Sequence, residues 1–444
     1  MKRLASPITI LFAFATLVAC GSSNVQTNSG NGNNNTSTGD QTTPESFGAA
    51  AVALQAFNIG SDFPPDFQIP DVEGMDSTGF LVSFNPAGIV PIDLNSNPLK
   101  VSTQFETIDL SGTPEASFPN HVLIISPTQA FMLGGSGVVY FNPTTGVVFG
   151  TANLSAPINL TQALDYSRSG DCDGTPGDEN STAIGPFSPS FAADLKVIGS
   201  RLFVSMSNAC FDASFSSFYI QGIVRVYDIN ETSPFLTPAS TPFIVLNGFD
   251  ASGLTVANGK LIATSTGDNE LVSGNSQPET ASVLDEIDPN TLNITRSLNL
   301  GLVAANFQPL AVTEDGKSGF IGSSAFSEVY EIDLKNFTLL RGAGNPIELT
   351  GDAHDFITDQ EIAFGGEVLF VSSFNRSAVN GIDLTNSNRN VLAKTLDFAV
   401  PSNPGVTGAG SMAVRPGQPG TDFSGADLFL LTSSPGTIST ATTY

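Results

Sequence analysis

The chain has 444 residues, and its 16 Lys and Arg stand against 42 Asp and Glu, a formal net charge of −26. Such a field repels polyphosphate backbones and excludes nucleic acid as a partner class. Charged residues make up only 13 % of the chain while hydrophobic residues reach 40 %, with 33 Phe, 43 Gly and 28 Pro. Too few Lys, Glu and Arg are present to clothe the outer faces of long helices, so the composition predicts an all-β protein of short strands and frequent turns, with a large core.

The N-terminus opens on Lys2 and Arg3, followed by the apolar run Ile8–Ala19, "ITILFAFATLVA". That run is shorter than the roughly 20 residues a spanning helix needs, so residues 1–19 read as a secretory signal peptide. The segment ends Leu17-Val18-Ala19-Cys20. This ending resembles the lipobox of bacterial lipoproteins. The resemblance implies cleavage before Cys20 and acylation of its thiol and new amino group with palmitate-type chains. Several acyl chains hold a protein at a membrane essentially permanently, each buried CH₂ contributing about 0.8 kcal/mol. Gly21 follows the cysteine where family members retained at the inner membrane often carry Asp. The expected location is therefore the outer membrane of the cell envelope, facing the periplasm or the cell surface.

Residues 20–46 begin with Cys20 and continue as Asn, Gly, Ser and Thr with almost no apolar side chains. Such a stretch cannot offset the entropy of ordering, and it reads as a flexible tether spanning about 28 Å root-mean-square. Residues 47–444 then form the expected folded domain. Once Cys20 is assigned to lipid, Cys172 and Cys210 remain, an even pair in an oxidising compartment. A disulfide is the expected state, and two separate thiols are the alternative.

Within the domain one unit recurs. Its clearest copy begins at Phe307 and reads as four strands, Leu310–Thr313, Gly319–Ser323, Val329–Leu334, and Thr338 onward into "IELT". The third strand of each unit ends in an Asp or Asn turn, at Asp93, Asn142, Asp228, Asp288, Asp333 and Asp383, at intervals of 45 to 60 residues save one of 86. Four strands in such a period match the blades of a β-propeller. The C-terminal "ADLFLLTSSPGTISTATTY" supplies two more strands, enough to begin a seventh blade, and "AAVALQAFNIG" near Ala49 completes that blade by closing the ring, which removes exposed edges. A pair of β-sandwiches is the competing architecture. The phrase "PLAVTEDGKSGFIGSS…VYEIDL" resembles the YVTN-type and lactonase-like propellers of secreted bacterial proteins.

Chemistry is harder to locate. There is no HExxH, no GxSxG and no dinucleotide fingerprint, and "GKS" at Gly316–Ser318 is a hairpin turn with Ala311 where a P-loop places its first glycine. Only two histidines exist. His121 starts an innermost strand and His354 precedes another, while Asp250, Gln308, Asp352 and Asp355 occupy related lead-ins. In a propeller these six residues ring one mouth of the central channel, as a candidate site for a polar ligand or a cation. The resemblance to lactonase-like propellers implies a divalent metal held by carboxylate and amide oxygens. A second candidate is "SGDCDGTPGDEN", whose Asp171, Asp173, Asp178 and Glu179 offer hard oxygen ligands suited to calcium, although its glycines fall off the EF-hand spacing. Two functions follow. One is a lipid-anchored, monomeric envelope module that binds or scaffolds a protein or small ligand. The other is a metal-dependent hydrolase of the lactonase type. A purely structural envelope role is the third.

Overall fold

The computed structural model describes residues 52–56, 66–164, 186–349 and 356–442, less several internal stretches. Among the described residues the chain is all-β, with one 3-10 turn at Pro114–Ala116 and no helix long and apolar enough to cross a membrane. Seven sheets of four or five strands are antiparallel meanders.

Blade 1 contains Phe67–Gln68, Thr78–Phe84, Ala87–Asp93 and Lys100–Val101, with Ile108–Asp109 also paired to its third strand. Blade 2 is His121–Ser126, Gln129–Leu133, Gly137–Phe141 and Val148–Asn153; blade 3 is Ala192–Ile198, Arg201–Met206, Gln221–Ile229 and Leu236–Phe249. Blade 4 is Ala251–Ala257, Lys260–Ser265, Ser282–Asp288 and Asn293–Gly301. Blade 5 is Ala311–Val312, Ser318–Gly322, Glu328–Asp333 and Thr338–Arg341, joined by Ile347–Glu348; blade 6 is Phe356–Asp359, Val368–Ser373, Ala378–Asp383 and Leu396–Asp397. Blade 7 takes Thr407–Arg415, Asp427–Ser434 and Gly436–Thr442 from the C-terminal end and Val52–Ala56 from the N-terminal end.

The cores lie between successive sheets. Phe80, Val82 and Ile89 of blade 1 pack with Val122, Met132 and Phe141 of blade 2. Comparable clusters join blades 2 and 3, 3 and 4, 4 and 5, and 5 and 6. Ala413 of blade 7 packs with Phe67 and Leu81 of blade 1, and the Ser411 hydroxyl donates to Asp66 Oδ1 at 3.2 Å, so the series closes on itself. Blades 1 to 5 are each buried on both faces by their neighbours, and the first strands of adjacent blades touch at every junction but that of blades 4 and 5, where the Thr255 hydroxyl donates to the Leu310 carbonyl at 2.8 Å. Sequential meanders with their first strands innermost, closed into a ring, are a β-propeller. The starts of the innermost strands share one face with the connections between second and third strands; we call this the lead-in face. The opposite, turn face carries the short hairpin turns.

The recurrent Asp or Asn has a local cause. Asp93 Oδ1 accepts the Asn95 amide at 3.0 Å, Asn142 Oδ1 those of Thr144 and Thr145, Asp288 Oδ1 those of Asn290 and Thr291, and Asp333 Oδ1 that of Asn336. These are side-chain-capped turns on the turn face, for which Asp and Asn are suited. The fourth strand of blade 5 comes in two pieces, Thr338–Arg341 and Ile347–Glu348, both paired to Glu328–Asp333.

Arginines lock three of these turns to the preceding blade. Arg201 donates to the Pro289 carbonyl at 2.7 Å, Arg296 to that of Lys335 at 2.8 Å, and Arg341 to that of Ser387 at 2.8 Å. Arg225 reaches back from blade 3 to the carbonyls of Leu154 and Ala156 at 2.7 and 3.0 Å. Arg389 joins blade 6 to the buried Glu331 of blade 5 at 2.6 Å, and Arg341 stands 3.6 Å from the same carboxylate. Replacing one member of a buried ion pair leaves the other uncompensated. Glu331→Ala is therefore expected to destabilise the fold by about 3 kcal/mol or more in chemical denaturation, well beyond the effect of Asp315→Ala at the exposed Lys317 pair.

Candidate functional site at the lead-in mouth

The chain enters several innermost strands through a residue in the left-handed region. Phe118, Phe191, Asp250 and Ala304 have φ of +54°, +54°, +55° and +46°. The carbonyls of Phe191 and Asp250 accept the amides of Ser207 and Thr266, each at 2.9 Å, which fastens the lead-in to the exit of the second strand. Aspartate tolerates this backbone better than most non-glycine residues, which gives Asp250 a local reason to be there.

His121, the first residue of its strand, is held from both sides. Its Nδ1 lies 2.8 Å from Asp66 Oδ2, and its Nε2 lies 3.6 Å from Asp194 Oδ1, an electrostatic contact too long for a hydrogen bond. Asp66 Oδ2 also accepts the Val122 amide at 3.2 Å. Asp194 Oδ2 accepts the Leu254 amide at 2.8 Å, while its Oδ1 accepts the Leu195 amide at 2.7 Å and the Lys196 ammonium at 3.1 Å. Ser411, Asp66, His121, Asp194 and Leu254 thus form one polar chain across blades 7, 1, 2, 3 and 4. Gln68 repeats the device, its Oε1 accepting the Ile124 amide at 3.2 Å.

Burial opposes the charge on His121, but the Asp66 carboxylate, with Asp194 behind it, outweighs burial and holds the imidazole pKa above its ordinary 6.5. Burial likewise works against the Asp66 carboxylate, and the His121 charge and the hydrogen bonds from His121, Val122 and Ser411 overcome it, lowering its pKa. A raised histidine pKa stabilises the fold fully below the unfolded value, and that contribution fades as pH rises through the folded one. The stability difference between the parent and His121→Gln is expected to be largest at pH 5 to 6 and to shrink on going to pH 9, as followed by thermal melting.

Asp250 is only 2 % exposed, and its Oδ2 has no hydrogen-bond partner. Burial, with the nearby Asp268 charge adding to it, pushes its pKa well above the ordinary carboxylate value. The sign is opposite to that of His121. Once unfolded carboxylates ionise, the folded state is penalised for keeping this one protonated or for burying its charge. Asp250→Asn is expected to raise the melting temperature at pH 7 and to leave it unchanged near pH 3.

Of the residues singled out from sequence, His121 and Asp250 stand at the lead-in mouth. Gln308, Asp352, His354 and Asp355 lie outside the described residues, as do Cys20, Cys172, Asp171, Asp173, Asp178 and Glu179. Cys210 is in the strand Ala209–Phe211, opposite Phe218. Among the described residues no group of three or more His, Cys, Asp or Glu is arranged to hold a metal ion. Asp66, Asp194 and Asp268 were not anticipated. Asp194 had a signal, as a carboxylate inside the apolar innermost strand "AADLKVI".

No family model matches the chain, and no curated protein matches it. Among solved structures it is similar to Hsv2 of Kluyveromyces lactis, with 10 % identity, a TM-score of 0.47 and coverage of 84 % of this chain and 90 % of that one. It is also similar to the β-propeller domain of Cps50 (Swd1) of Myceliophteria thermophila, with 10 % identity, a TM-score of 0.49 and coverage of 89 % and 100 %. A functionally unknown protein of Desulfotomaculum acetoxidans shows 14 % identity, a TM-score of 0.44 and coverage of 75 % and 86 %. At such distances the propeller assignment rests on the sheet order and closure of this chain itself.

Proposed function

We infer that this chain is a lipid-anchored β-propeller of the cell envelope that serves as a binding or scaffolding module for a protein or small ligand. The observation that carries the reading is the use made of the mouth's ionisable groups. His121 Nδ1 is spent on Asp66, and Asp66 and Asp194 are spent on the backbone amides of neighbouring blades. A general base needs a nitrogen open to a substrate proton, whereas His121 Nε2, which has no hydrogen-bond partner, is buried 3.6 Å from Asp194 Oδ1; a rigid rim needs such ties. The N-terminal sequence supports the anchor: Cys20 would carry lipid, the polar tract after it would be the tether, and the outer membrane would be the site of attachment. The Cys172–Cys210 disulfide belongs to the same reading, as a clasp suited to an oxidising compartment.

Asp250 favours a second reading. A buried carboxylate oxygen without a partner is what a bound divalent cation would satisfy, and a lactonase-like hydrolase would use such a cation to polarise a carbonyl. The acidic stretch Asp171–Glu179 would take calcium on the strength of its oxygen ligands.

Two measurements separate these readings. Cys20→Ser is expected to release the protein from the membrane fraction into the soluble fraction; retention of the variant with envelopes would contradict the anchor. Chelation of the purified chain, followed by metal analysis and a panel of lactone and ester substrates, is expected to show no metal-dependent turnover. Turnover that is restored by calcium and lost in Asp250→Asn would replace the binding module with the hydrolase.

A further inference from the structure

The two faces of the ring differ in charge. On the turn face four acidic residues have cationic partners, Lys100 standing 4.0 Å from Asp93, Arg201 3.3 Å from Asp228, Lys260 2.5 Å from Asp288 and Lys317 2.5 Å from Asp315, while Glu73 and Glu231 are exposed there without one among the described residues. Among the described residues the connections of the lead-in face contain no Lys or Arg, yet they or the strand ends beside them carry Glu115, Glu328 and Glu348. By sequence, the remaining stretches of these connections add Arg168 and Arg376 against a larger number of Asp and Glu.

On the rim of blade 5 this charge meets exposed apolar surface. Leu302 is 56 % exposed and Phe326 43 % exposed. Their segments are pinned to one hydroxyl: Ser323 Oγ donates to the Val303 carbonyl at 2.6 Å and accepts the amides of Ala325 and Phe326 at 3.1 and 2.9 Å. Immediately beside them Glu328 and Glu348 are directly paired across adjacent strands. Like charges directly opposite one another destabilise a sheet. Tyr330 occupies Glu328 Oε2 through a 2.7 Å hydrogen bond, and Glu348 is exposed. A fixed apolar pair beside an uncompensated carboxylate pair selects for a partner with the opposite charge and an apolar anchor.

We propose that the blade 5 rim, Leu302 and Phe326 flanked by Glu328 and Glu348, docks a basic polypeptide segment that carries apolar side chains. This rests on the binding-module reading and gives that module its partner class. Anionic lipid is disfavoured by the same charge, and a second copy of this acidic chain would meet it with like charge.

The test is fluorescence anisotropy of the full chain with two labelled synthetic peptides, one alternating lysine and leucine, the other alternating glutamate and leucine. The lysine peptide is expected to bind and the glutamate peptide to fail. Phe326→Ser and Leu302→Ser should each weaken binding about tenfold, as anchors at the centre of a contact do. Glu348→Gln should weaken it and flatten its dependence on salt. Val101→Ser, at an exposed apolar residue of the turn face, should change nothing. Circular-dichroism melting of each variant establishes that it is folded.

The proposal is overturned if the rim variants bind like the parent, if the glutamate peptide binds as well, or if Val101→Ser has the same effect as Phe326→Ser. It is also overturned if the rim variants abolish a concentration-dependent self-association in sedimentation, or adsorption to vesicles of anionic phospholipid. Failure here with Cys20→Ser still released from envelopes would leave the anchored module standing and move its contact surface elsewhere.

Discussion

The ring depends on side chains that cross from one blade to the backbone of the next. Sheets packed face to face through Val, Ile, Leu and Phe gain burial, but apolar contact is non-directional and sets no register between neighbours. Hydrogen bonds do. Near the axis carboxylates and amides reach forward to main-chain N–H groups, as Asp66 does to Val122, Asp194 to Leu254 and Gln68 to Ile124. Toward the turn face, guanidinium groups reach to main-chain carbonyls, as Arg201, Arg296 and Arg341 do. Acids bind donors and cations bind acceptors, so each edge of a blade is fixed by the charge type suited to the backbone groups it faces.

This division of labour explains the composition. A chain with only 16 Lys and Arg places Arg201, Arg225, Arg296, Arg341 and Arg389 between blades. Little cationic charge is left for the surface, and among the described residues Lys100, Lys260 and Lys317 sit on the turn face beside Asp93, Asp288 and Asp315. The acidity of the lead-in face is therefore partly a consequence of how the ring is fastened. A field of one sign over a rigid rim steers oppositely charged partners toward it.

The all-β class and the blade pattern were legible because their signals are local. The Asp or Asn turns at Asp93, Asn142, Asp288 and Asp333 are each closed by their own side chain within three residues, so the repeat survives in sequence even where the strands diverge. His121 and Asp250 were placed at strand lead-ins for the same reason. The partners of His121 were not legible. Asp66 and Asp194 come from different blades, and their approach is created only when the ring closes. The strand Thr407–Arg415 was missed as well, since its glycines and small residues, "TGAGSMAVR", give no alternating apolar signal. The charge asymmetry between faces could not be read before the strand order was known, because acidic residues are spread along the whole chain.

The account's central claim is that charged ties across blades hold the ring as a unit, and a double-mutant cycle between Glu331 and Arg389 tests it most directly. Chemical denaturation of Glu331→Gln, Arg389→Met and the double variant should give a favourable coupling of about 1 to 3 kcal/mol that persists in high salt, because both groups are withdrawn from solvent. Additive effects of the two substitutions, or a coupling abolished by salt, would contradict it.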